Sequence, residues 1–402
     1  MKKSKMLGFL EKPGKILLIS KSVRVFGYGF LSIVLPFYLI NDGYSAETVG
    51  LIITVAILSG VIYNIFVGKY ADSFGRKKTL EIFSIFMVIS SFLFILNNFV
   101  TIIIASILGV ISVTGTETGP FLSIEQSALA KFTTLEKRTF LYSTYNFLGY
   151  ASSALGALFA GVPYIFVKGI ISFQISIGIY GFIGIILFIL YLMLGDSIEL
   201  EQHKNKRVRI SPETRKIIVK LSILFSLDAF GGGFIVQSIL ALWFKIHFNM
   251  EIENQSYLFF TIGIITALSF FLAERIAKKI GLLNTMVFTH IPSNIFLILI
   301  AFSPTLYLAI AFLLLRQSLS QMDVPTRQSY TMAIVKPEER TALSATTNIP
   351  RSLSQAASPY LSSYAISLSL FFAPFLFSGS IKIIYDILIY FSFRKIKPLE
   401  EK

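Results

Sequence analysis

Residues 68–80 read GKYADSFGRKKTL, a stretch with five charged side chains that lies between two long runs almost free of charge. Charged residues are scarce in the rest of the chain: they make up 14% of its 402 residues, whereas 54% are hydrophobic. A soluble globular protein needs more polar surface than this composition supplies. The composition therefore predicts an integral membrane protein in which the quoted stretch is a loop outside the bilayer.

Apolar stretches long enough to cross a bilayer recur along the whole chain. A hydrocarbon core about 30 Å thick requires roughly 20 apolar residues of helix. Strands of a membrane barrel would run to about 10 residues and alternate in polarity, so helices are the better interpretation. We predict twelve helical spans, numbered 1 to 12 in chain order, at residues 15–40, 47–70, 79–97, 99–129, 139–166, 170–194, 215–244, 256–278, 284–302, 305–333, 342–368 and 370–392.

The basic residues predict how these spans are oriented. A net charge of +14 would suit a nucleic-acid-binding protein, but the lysines and arginines fall on alternate loops, and the intervening loops hold only Lys168 and Lys245. Loops rich in lysine and arginine face the cytoplasm. Both termini are therefore expected to be cytoplasmic, and the expected partner is the lipid bilayer and not nucleic acid.

An internal repeat divides the chain into two halves. The one long polar stretch, at 195–216, separates six spans from six, so we expect bundles at 1–194 and 215–402 joined by a cytoplasmic linker at 195–214. A shift of 202 residues aligns 125–146 with 327–348 without a gap. A shift of 204 aligns span 1 with span 7 through the identical residues Phe26, Gly27, Gly29 and Phe30 and Phe230, Gly231, Gly233 and Phe234.

With this repeat established, the opening stretch resembles a known signature. It matches the pattern G-x-x-x-D-x-x-G-R-x-K that the major facilitator superfamily carries between its second and third helices, through Gly68, Asp72, Gly75, Arg76 and Lys78. The resemblance implies an all-α polytopic fold of two pseudo-symmetric six-helix bundles. It also implies secondary transport by alternating access, with a central cavity lined mainly by spans 1, 4, 7 and 10.

The same five residues are expected to form a cytoplasmic latch. Gly68 and Gly75 would permit close helix approach and a tight turn. Asp72 would accept a hydrogen bond from Arg76, and in the family such an acidic residue also faces the start of span 11. The alternative is that the basic residues of this loop only fix the topology. Three further charged residues near the cytoplasmic ends of their spans are assigned to the inner gate: Glu125, Arg327 and Arg351.

Ionisable residues inside the spans mark the expected transport site, because a charge at mid-bilayer costs several kcal/mol. Counting from the outer helix ends places Arg24 and Glu117 level, at about 25–28 Å. We expect these two to pair, although Arg24 could instead extend to the cytoplasmic face. Asp228 and Glu117 are the candidate proton-coupling groups. The remaining candidates for the substrate cavity are Tyr28, Arg316, Gly231, Gly232, Gly233, Gln237 and Asp323, in addition to Arg24.

Two interpretations of these charges stay open: static ion pairs that hold each bundle together, and partner exchange in which a carboxylate takes up a proton. On span 12, Lys382 and Asp386 are four residues apart and are expected to neutralise one another.

The sequence argues for a transporter more strongly than for other functions. Cysteine is absent, and the three histidines lie on separate segments, so no enzyme, cofactor or metal site is predicted. We expect a plasma-membrane protein, functional as a monomer, that moves a small molecule and protons. Proton-coupled export of a small organic compound is the first interpretation, because span 1 ends in VLPFYL like many exporters. Uptake of a small anion or nutrient with a proton is the alternative, and a membrane sensor is a third.

Overall fold

A computed structural model describes residues 10–116, 119–132, 135–199, 211–336 and 339–396. Within these ranges the secondary structure is helical throughout. The α-helices are α1 Lys12–Asn41, α2 Ala46–Phe74, α3 Arg76–Ile95, α4 Phe99–Leu108, α5 Pro120–Leu129, α6 Leu135–Phe159, α7 Val162–Phe166, α8 Ile170–Leu192, α9 Pro212–Gly233, α10 Gln237–Phe248, α11 Ile252–Ile280, α12 Leu282–Ala301, α13 Leu306–Ser320, α14 Asp323–Ala333, α15 Arg340–Ser367 and α16 Ala373–Phe393.

Every predicted span contains one of these helices or two in succession. Within the part of the chain that the structure describes, nine helical segments are long and apolar enough to cross a membrane. Spans 4, 10 and 11 are not among the nine, because they are interrupted or carry many polar residues. The all-helical membrane fold is confirmed, and twelve as the number of crossings stays a prediction.

Four spans are divided into two helices each: span 4 into α4 and α5, span 5 into α6 and α7, span 7 into α9 and α10, and span 10 into α13 and α14. The break in span 4 is the longest and falls in a run rich in glycine and threonine. Val110 there has φ +48°, and Gly115 and Gly119 have φ +70° and +111°, values that a helix cannot accommodate. Span 7 is interrupted directly after its three consecutive glycines, as their low helix propensity predicts.

The chain forms two compact units that follow the two halves of the sequence, with two short exceptions. Unit 1 contains Met1–Tyr44, Val55–Lys204 and Met250–Phe260, and unit 2 contains Ser45–Thr54, Asn205–Asn249 and Thr261–Lys402. The first residues of α2 belong to unit 2, where the Tyr360 hydroxyl donates to the Glu47 carboxylate at 2.6 Å. The first residues of α11 belong to unit 1, where Lys168 lies 2.9 Å from Glu253.

The repeat is visible in the turns before α3 and α12. Gly75 has φ +104° and Gly281 has φ +86°, conformations that glycine adopts without strain. In both turns a threonine four residues later, Thr79 or Thr285, donates its hydroxyl to the glycine carbonyl at 2.7 or 2.8 Å. The turn that Gly75 was expected to make is therefore present in both halves, although the charged residues of the motif occur only in the first.

The repeat is equally visible where α1 crosses α6 and where α9 crosses α15. A methyl group added at Gly29 would collide with the Ser153 carbonyl oxygen, and one added at Gly233 would collide with the carbonyl oxygen of Gln355. These two glycines and their two partners correspond under the 204 and 202 shifts. Only glycine lets the two backbones come this close, so the same crossing is built twice.

Candidate transport site and its charge network

In unit 1 a cluster of buried side chains surrounds Arg24 of α1. Its guanidinium makes a bidentate ion pair with Glu125 of α5, with both N···O distances at 2.7 Å. Tyr191 of α8 accepts from Arg24 and donates to Glu125, each at 2.8 Å, and Tyr145 of α6 donates to the second carboxylate oxygen at 2.8 Å. Neither charged side chain is exposed to solvent at all.

This cluster satisfies the charges that it buries. The Phe121 ring lies 4.6 Å from the Arg24 guanidinium carbon and covers one face of the cation. Both carboxylate oxygens of Glu125 accept two hydrogen bonds. Bidentate, hydrogen-bonded pairs are the arrangement in which a buried ion pair best recovers its desolvation cost. The geometry is that of a structural clamp that joins four helices of unit 1.

The sequence placed these two residues in different roles. Arg24 was expected to pair with Glu117, which lies outside the described residues, and Glu125 was assigned to the inner gate. The depth estimate behind that pairing assumed one straight helix through span 4. Because the chain leaves the helix after Leu108 and re-enters one at Pro120, counting residues along the span does not give depth. Arg24 is paired inside unit 1 and does not extend to the cytoplasmic face.

The buried charges of unit 2 centre on Asp228 of α9. Lys382 of α16 lies 2.6 Å from one of its carboxylate oxygens, and Arg327 of α14 lies 2.9 Å from the other. Arg327 also contacts Asp323, one turn earlier on its own helix, at 3.1 Å. Asp228, which was expected to take part in proton coupling, is thus held by two cations. Asp323 and Arg327, expected in the cavity and in the gate, belong to the same cluster.

The two ion pairs occupy equivalent positions of the repeat with their signs reversed. The 204 shift relates Arg24 to Asp228, and the 202 shift relates Glu125 to Arg327. The first unit therefore places the cation on the first helix of the repeat, and the second unit places the anion there. The position of the pair is common to both halves, but its neighbours are not.

The three glycines that follow Asp228 make room for helix packing and for Lys382. A methyl group at Gly231 would lie 3.1 Å from the Lys382 side chain, and one at Gly232 would lie 3.6 Å from its ammonium nitrogen. Gly233 lies against α15, as described above. These residues were expected to line the substrate cavity, and in this structure they let α15 and α16 approach α9.

Two further arginines, Arg316 and Arg351, contact no carboxylate within the ranges that the structure describes. Arg316 of α13 is buried and donates to Gln317 at 3.1 Å, while its Nε atom has no acceptor. Gln317 in turn donates to Thr266 of α11 at 2.6 Å. The Nε atom of Arg351 on α15 is also buried and has no acceptor. Both arginines interact electrostatically with Asp228 and Asp323.

The expectation that Lys382 and Asp386 neutralise one another is wrong. Lys382 reaches Asp228, whereas Asp386 contacts His290 at 2.8 Å and accepts from Asn294 at 3.1 Å, both on α12. The two side chains point to different neighbours: Lys382 lies against Gly231 and Gly232 and contacts Asp228, whereas Asp386 faces α12. Sequence reasoning did not identify the roles of these residues. The signal that could have identified Lys382 was the glycine run beside Asp228.

The motif at residues 68–78 makes some of the contacts that were expected of it. Arg76 donates to Asp72 at 2.8 Å, as its spacing predicts, and Lys78 is exposed. A residue that the sequence reasoning overlooked, Glu199, accepts from the backbone N–H groups at the start of α3, at 2.8 and 3.0 Å. Among the described residues a methyl group at Gly68 would meet no atom within 4 Å, so the close helix approach expected there stays a prediction. Contact between Asp72 and span 11 stays a prediction.

The remaining cavity candidates, Tyr28 and Gln237, lie on the first predicted span of each repeat. Tyr28 of α1 is fully buried one turn after Arg24. Gln237 is the first residue of α10, after the interruption that follows the glycine run.

Comparison with known proteins agrees with this fold. The family model described as Major Facilitator Superfamily matches residues 17–359. The chain therefore belongs to the major facilitator superfamily, and it is a multi-pass membrane protein and a secondary transporter. An uncharacterized membrane protein of Saccharomyces cerevisiae, YJR124C, is 26% identical over 414 residues, covering 93% of this chain and 92% of the yeast protein.

Solved structures of transporters have the same architecture at low sequence identity. The crystal structure of a D-xylose–proton symporter superposes with a TM-score of 0.72 at 14% identity, covering 96% of this chain and 98% of that chain. The crystal structure of the nucleoside transporter NupG gives a TM-score of 0.72 at 11% identity, covering 96% of this chain and 100% of that chain. At such identities the likeness concerns the fold.

Proposed function

We propose that this transporter couples solute movement to protons and that Asp228 takes up and releases the proton. The observation that carries this proposal is the sharing of a cation between two carboxylates, since Arg327 contacts both Asp228 and Asp323. Asp228 can lose its charge while Arg327 keeps a carboxylate partner. In the equivalent pair Glu125 makes both ion-pair contacts of a bidentate interaction with Arg24, so loss of its charge would break the whole pair.

The groups around Asp228 give the transporter a means of changing its protonation during the cycle. A carboxylate in contact with cations stays ionised, whereas one buried without them takes up a proton. Helix movements that part Asp228 from its cations would therefore load a proton, and the reverse movement would release it. The charged and titratable groups close enough to act on Asp228 lie on five helices: His290, Arg316, Asp323, Arg327, Arg351, Lys382, Tyr385 and Asp386.

Export in exchange for protons is our first proposal for the direction of transport. It is supported by the segment VLPFYL at residues 34–39, which resembles the end of the first helix in many exporters. In this mode the proton and a small organic compound would occupy the site in turn.

Uptake of a small anion together with a proton is the second candidate. It is favoured by Arg316, a buried arginine that contacts no carboxylate among the described residues and whose Nε has no acceptor there. Protonation of Asp228 would leave the cluster more positive and would favour anion binding. The two ligands would then bind together, as symport requires.

Proton movement in proteoliposomes tests both candidates. Vesicles loaded with a pH-sensitive dye are challenged with external organic acids, bases and sugars. Symport acidifies the lumen when solute enters, whereas antiport makes it alkaline. If no solute in the series moves protons, proton coupling is rejected.

The variant Asp228→Asn tests the coupling residue. We expect it to abolish accumulation driven by a proton gradient and to retain solute counterflow, because counterflow requires no net proton transfer. The matched control is Asp386→Asn, which removes a buried carboxylate that contacts His290 and not Arg327. The control should keep gradient-driven accumulation. An unchanged pH dependence of transport in Asp228→Asn would exclude Asp228 from the proton role.

We also propose that the protein acts as a monomer in the plasma membrane with both termini in the cytoplasm. The distribution of lysine and arginine between loops supports this orientation. Because the chain contains no cysteine, labelling of single cysteines introduced into loops tests it directly.

A further inference from the structure

A crevice of about 280 Å³ lies between α2 and α3 of unit 1, next to the basic motif at residues 68–78. Its apolar and aromatic side chains come from one face of each helix: Ile62, Phe66 and Phe74 of α2, and Ile82, Phe83 and Phe86 of α3. The three residues of α2 are 42–64% exposed, so the crevice opens to the outside of the protein. Along a membrane-spanning helix, that outside is lipid.

The two hydroxyl groups of the lining are both used within the protein. Tyr63 donates to the carbonyl oxygen of Ile107 at 2.8 Å, and Thr79 donates to that of Gly75 at 2.7 Å. An ordered water molecule needs two to four polar partners, and a polar solute needs them as well. The occupant that this lining favours is therefore an apolar chain.

The crevice is about as long as one leaflet of a bilayer. From Ile62 to Phe74 the helix rises about 18 Å at 1.5 Å per residue. Half of a hydrocarbon core about 30 Å thick is about 15 Å. In the orientation proposed above, the end at Phe74 adjoins a cytoplasmic turn. An acyl chain of the cytoplasmic leaflet would lie along the crevice with its headgroup at this turn.

Two lysines border the crevice at the same end. The Nζ atom of Lys69 lies 4.9 Å from the centroid of the Tyr70 ring, and this ring lies 5.3 Å from that of Phe66, which lines the crevice. Lys78 directly precedes Thr79, another lining residue. The apolar crevice therefore has a basic border where the headgroup of a lipid would lie.

These two lysines are available to a ligand, whereas the other charged groups of the turn have partners. Arg76 and Lys77 lie 2.8 and 4.0 Å from carboxylates four residues away along the chain, and Glu199 accepts from the backbone N–H groups at the start of α3. Lys69 and Lys78 are exposed and make no ion pair within the described part of the chain. The cytoplasmic leaflet is the one that carries anionic lipids, so its charge complements this border.

We propose that the crevice binds one acyl chain of an anionic phospholipid and that Lys69 and Lys78 hold its phosphate group. Close packing keeps the chain in place, since lipid tails and apolar side chains differ little in polarity. The lysines supply the preference for negative charge, because an ammonium group binds phosphate as a point charge. The site takes a lipid and not the transported solute, so it goes beyond the proposed function.

Mass spectrometry of the intact protein in detergent counts the lipid molecules that it retains. The protein is incubated with phosphatidylglycerol, phosphatidylserine or phosphatidylcholine carrying the same acyl chains. We expect either anionic lipid to be retained at concentrations at which phosphatidylcholine is lost. Equal retention of the three lipids would show a nonspecific lipid shell, and a dimer without lipid would assign the crevice to a second copy of the chain. Either result overturns the proposal.

Substitutions at the border test the charge preference. Lys69→Gln and Lys78→Gln should each weaken binding of phosphatidylglycerol about fivefold, since a basic residue near an anionic surface contributes about 1 kcal/mol. Retention of phosphatidylcholine should not change. Lys279→Gln is the matched control, because Lys279 is exposed beside the corresponding turn before α12. An unchanged affinity in the double variant of Lys69 and Lys78, or an equal loss in the control, would contradict the assignment.

Filling the crevice tests the position of the acyl chain. Ile62→Trp places a larger side chain in the lining and should reduce retention of phosphatidylglycerol at least fivefold. Ile65→Trp is the control, since Ile65 is exposed on the same helix but does not line the crevice. Both positions are exposed, so thermal unfolding in detergent should match that of the wild type. If the two tryptophan variants retain the same amount of lipid, the chain lies elsewhere and the proposal fails.

Discussion

The ion pairs Arg24–Glu125 and Asp228–Arg327 are two copies of one structural element that have different surroundings. In unit 1 the pair is bidentate, and the tyrosine hydroxyls around it complete its hydrogen bonding. In unit 2 the carboxylate is shared with Lys382, and the arginine is shared with Asp323. A bidentate, fully buried pair is suited to holding helices together. A pair with additional partners can exchange them, so the comparison supports the proposal that proton coupling involves unit 2.

The difference also bears on the two interpretations that the sequence left open. Static pairing describes the first copy well, because the Arg24–Glu125 pair is bidentate, fully buried and hydrogen-bonded to two tyrosine hydroxyls. Partner exchange requires an alternative partner nearby, and the second copy has one for each member. The geometry therefore favours static pairing in unit 1, and partner exchange in unit 2 stays a prediction.

The largest expected effect tests this contrast by removing one carboxylate from each copy. Glu125→Gln removes the carboxylate from the bidentate, fully buried pair with Arg24 and should lower the free energy of unfolding by about 3–5 kcal/mol. Asp228→Asn should cost clearly less, because Arg327 keeps Asp323 and a buried lysine, unlike an arginine, can give up its proton. Chemical denaturation in detergent measures both. Equal losses would show that the second pair is as structural as the first.

Exchanging the charges of the Arg24–Glu125 pair tests whether these two positions of the repeat accept the cation and the anion in either order. The double variant Arg24→Asp with Glu125→Arg gives unit 1 the residues that unit 2 has at these positions. We expect it to be more stable than either single variant, with a coupling of about 1–3 kcal/mol in a double-mutant cycle. Absence of coupling would mean that the tyrosines around the pair, and not the pair position, determine the polarity.

A third prediction concerns the helix crossings that both halves share. Gly29→Ala and Gly233→Ala should each destabilise their own unit by about 1–3 kcal/mol, because the added methyl group would meet a carbonyl oxygen of the neighbouring helix. Thermal unfolding measures the loss. Gly178→Ala is the matched control, since a methyl group at this position of α8 would meet no atom within 4 Å. A harmless Gly233→Ala beside a damaging Gly29→Ala would show that the two crossings differ in function as well as in sequence.

The fold could be predicted from sequence because three features follow directly from the order of residues: the lengths of the apolar stretches, the placing of basic residues on alternate loops, and the internal repeat. The repeat also relates the two observed ion pairs: aligning Arg24 with Asp228 and Glu125 with Arg327 places all four residues in equivalent positions. The prediction that Arg24 pairs with Glu117 depends instead on depth along span 4, which assumes that its helix is continuous. The run of glycines and threonines at residues 109–120 was the signal that it is not.

Other features depend on contacts between distant segments, which residue spacing does not reveal. Lys382 was assigned to Asp386 because residues four apart face one another on a helix. In the structure Lys382 instead contacts Asp228, a carboxylate on another helix, at 2.6 Å, and its side chain lies against Gly232. Glu199 at the start of α3 is a similar case, since it lies more than 120 residues away in sequence. Local pattern therefore predicted the helices but not which charges meet between them.

The smallest expected effect concerns the starts of α3 and α9. In each half a glutamate from a distant part of the chain accepts hydrogen bonds at one of these helix starts. Glu199 holds the start of α3, and Glu339 holds the start of α9 by accepting from the Ser211 backbone N–H at 2.6 Å and the Thr214 hydroxyl at 2.5 Å. These hydrogen bonds lower the pKa of Glu339 below its usual value of 4.5. A carboxylate with a lowered pKa stabilises the folded state above its unfolded-state pKa, and this contribution is lost as the pH falls through the folded-state value. Glu339→Gln should therefore increase hydrogen exchange at the start of α9 near neutral pH and make that exchange less sensitive to acid than in the wild type. An acid response identical to that of the wild type would show that another group controls the start of α9, and the resemblance between the two helix starts would be only geometric.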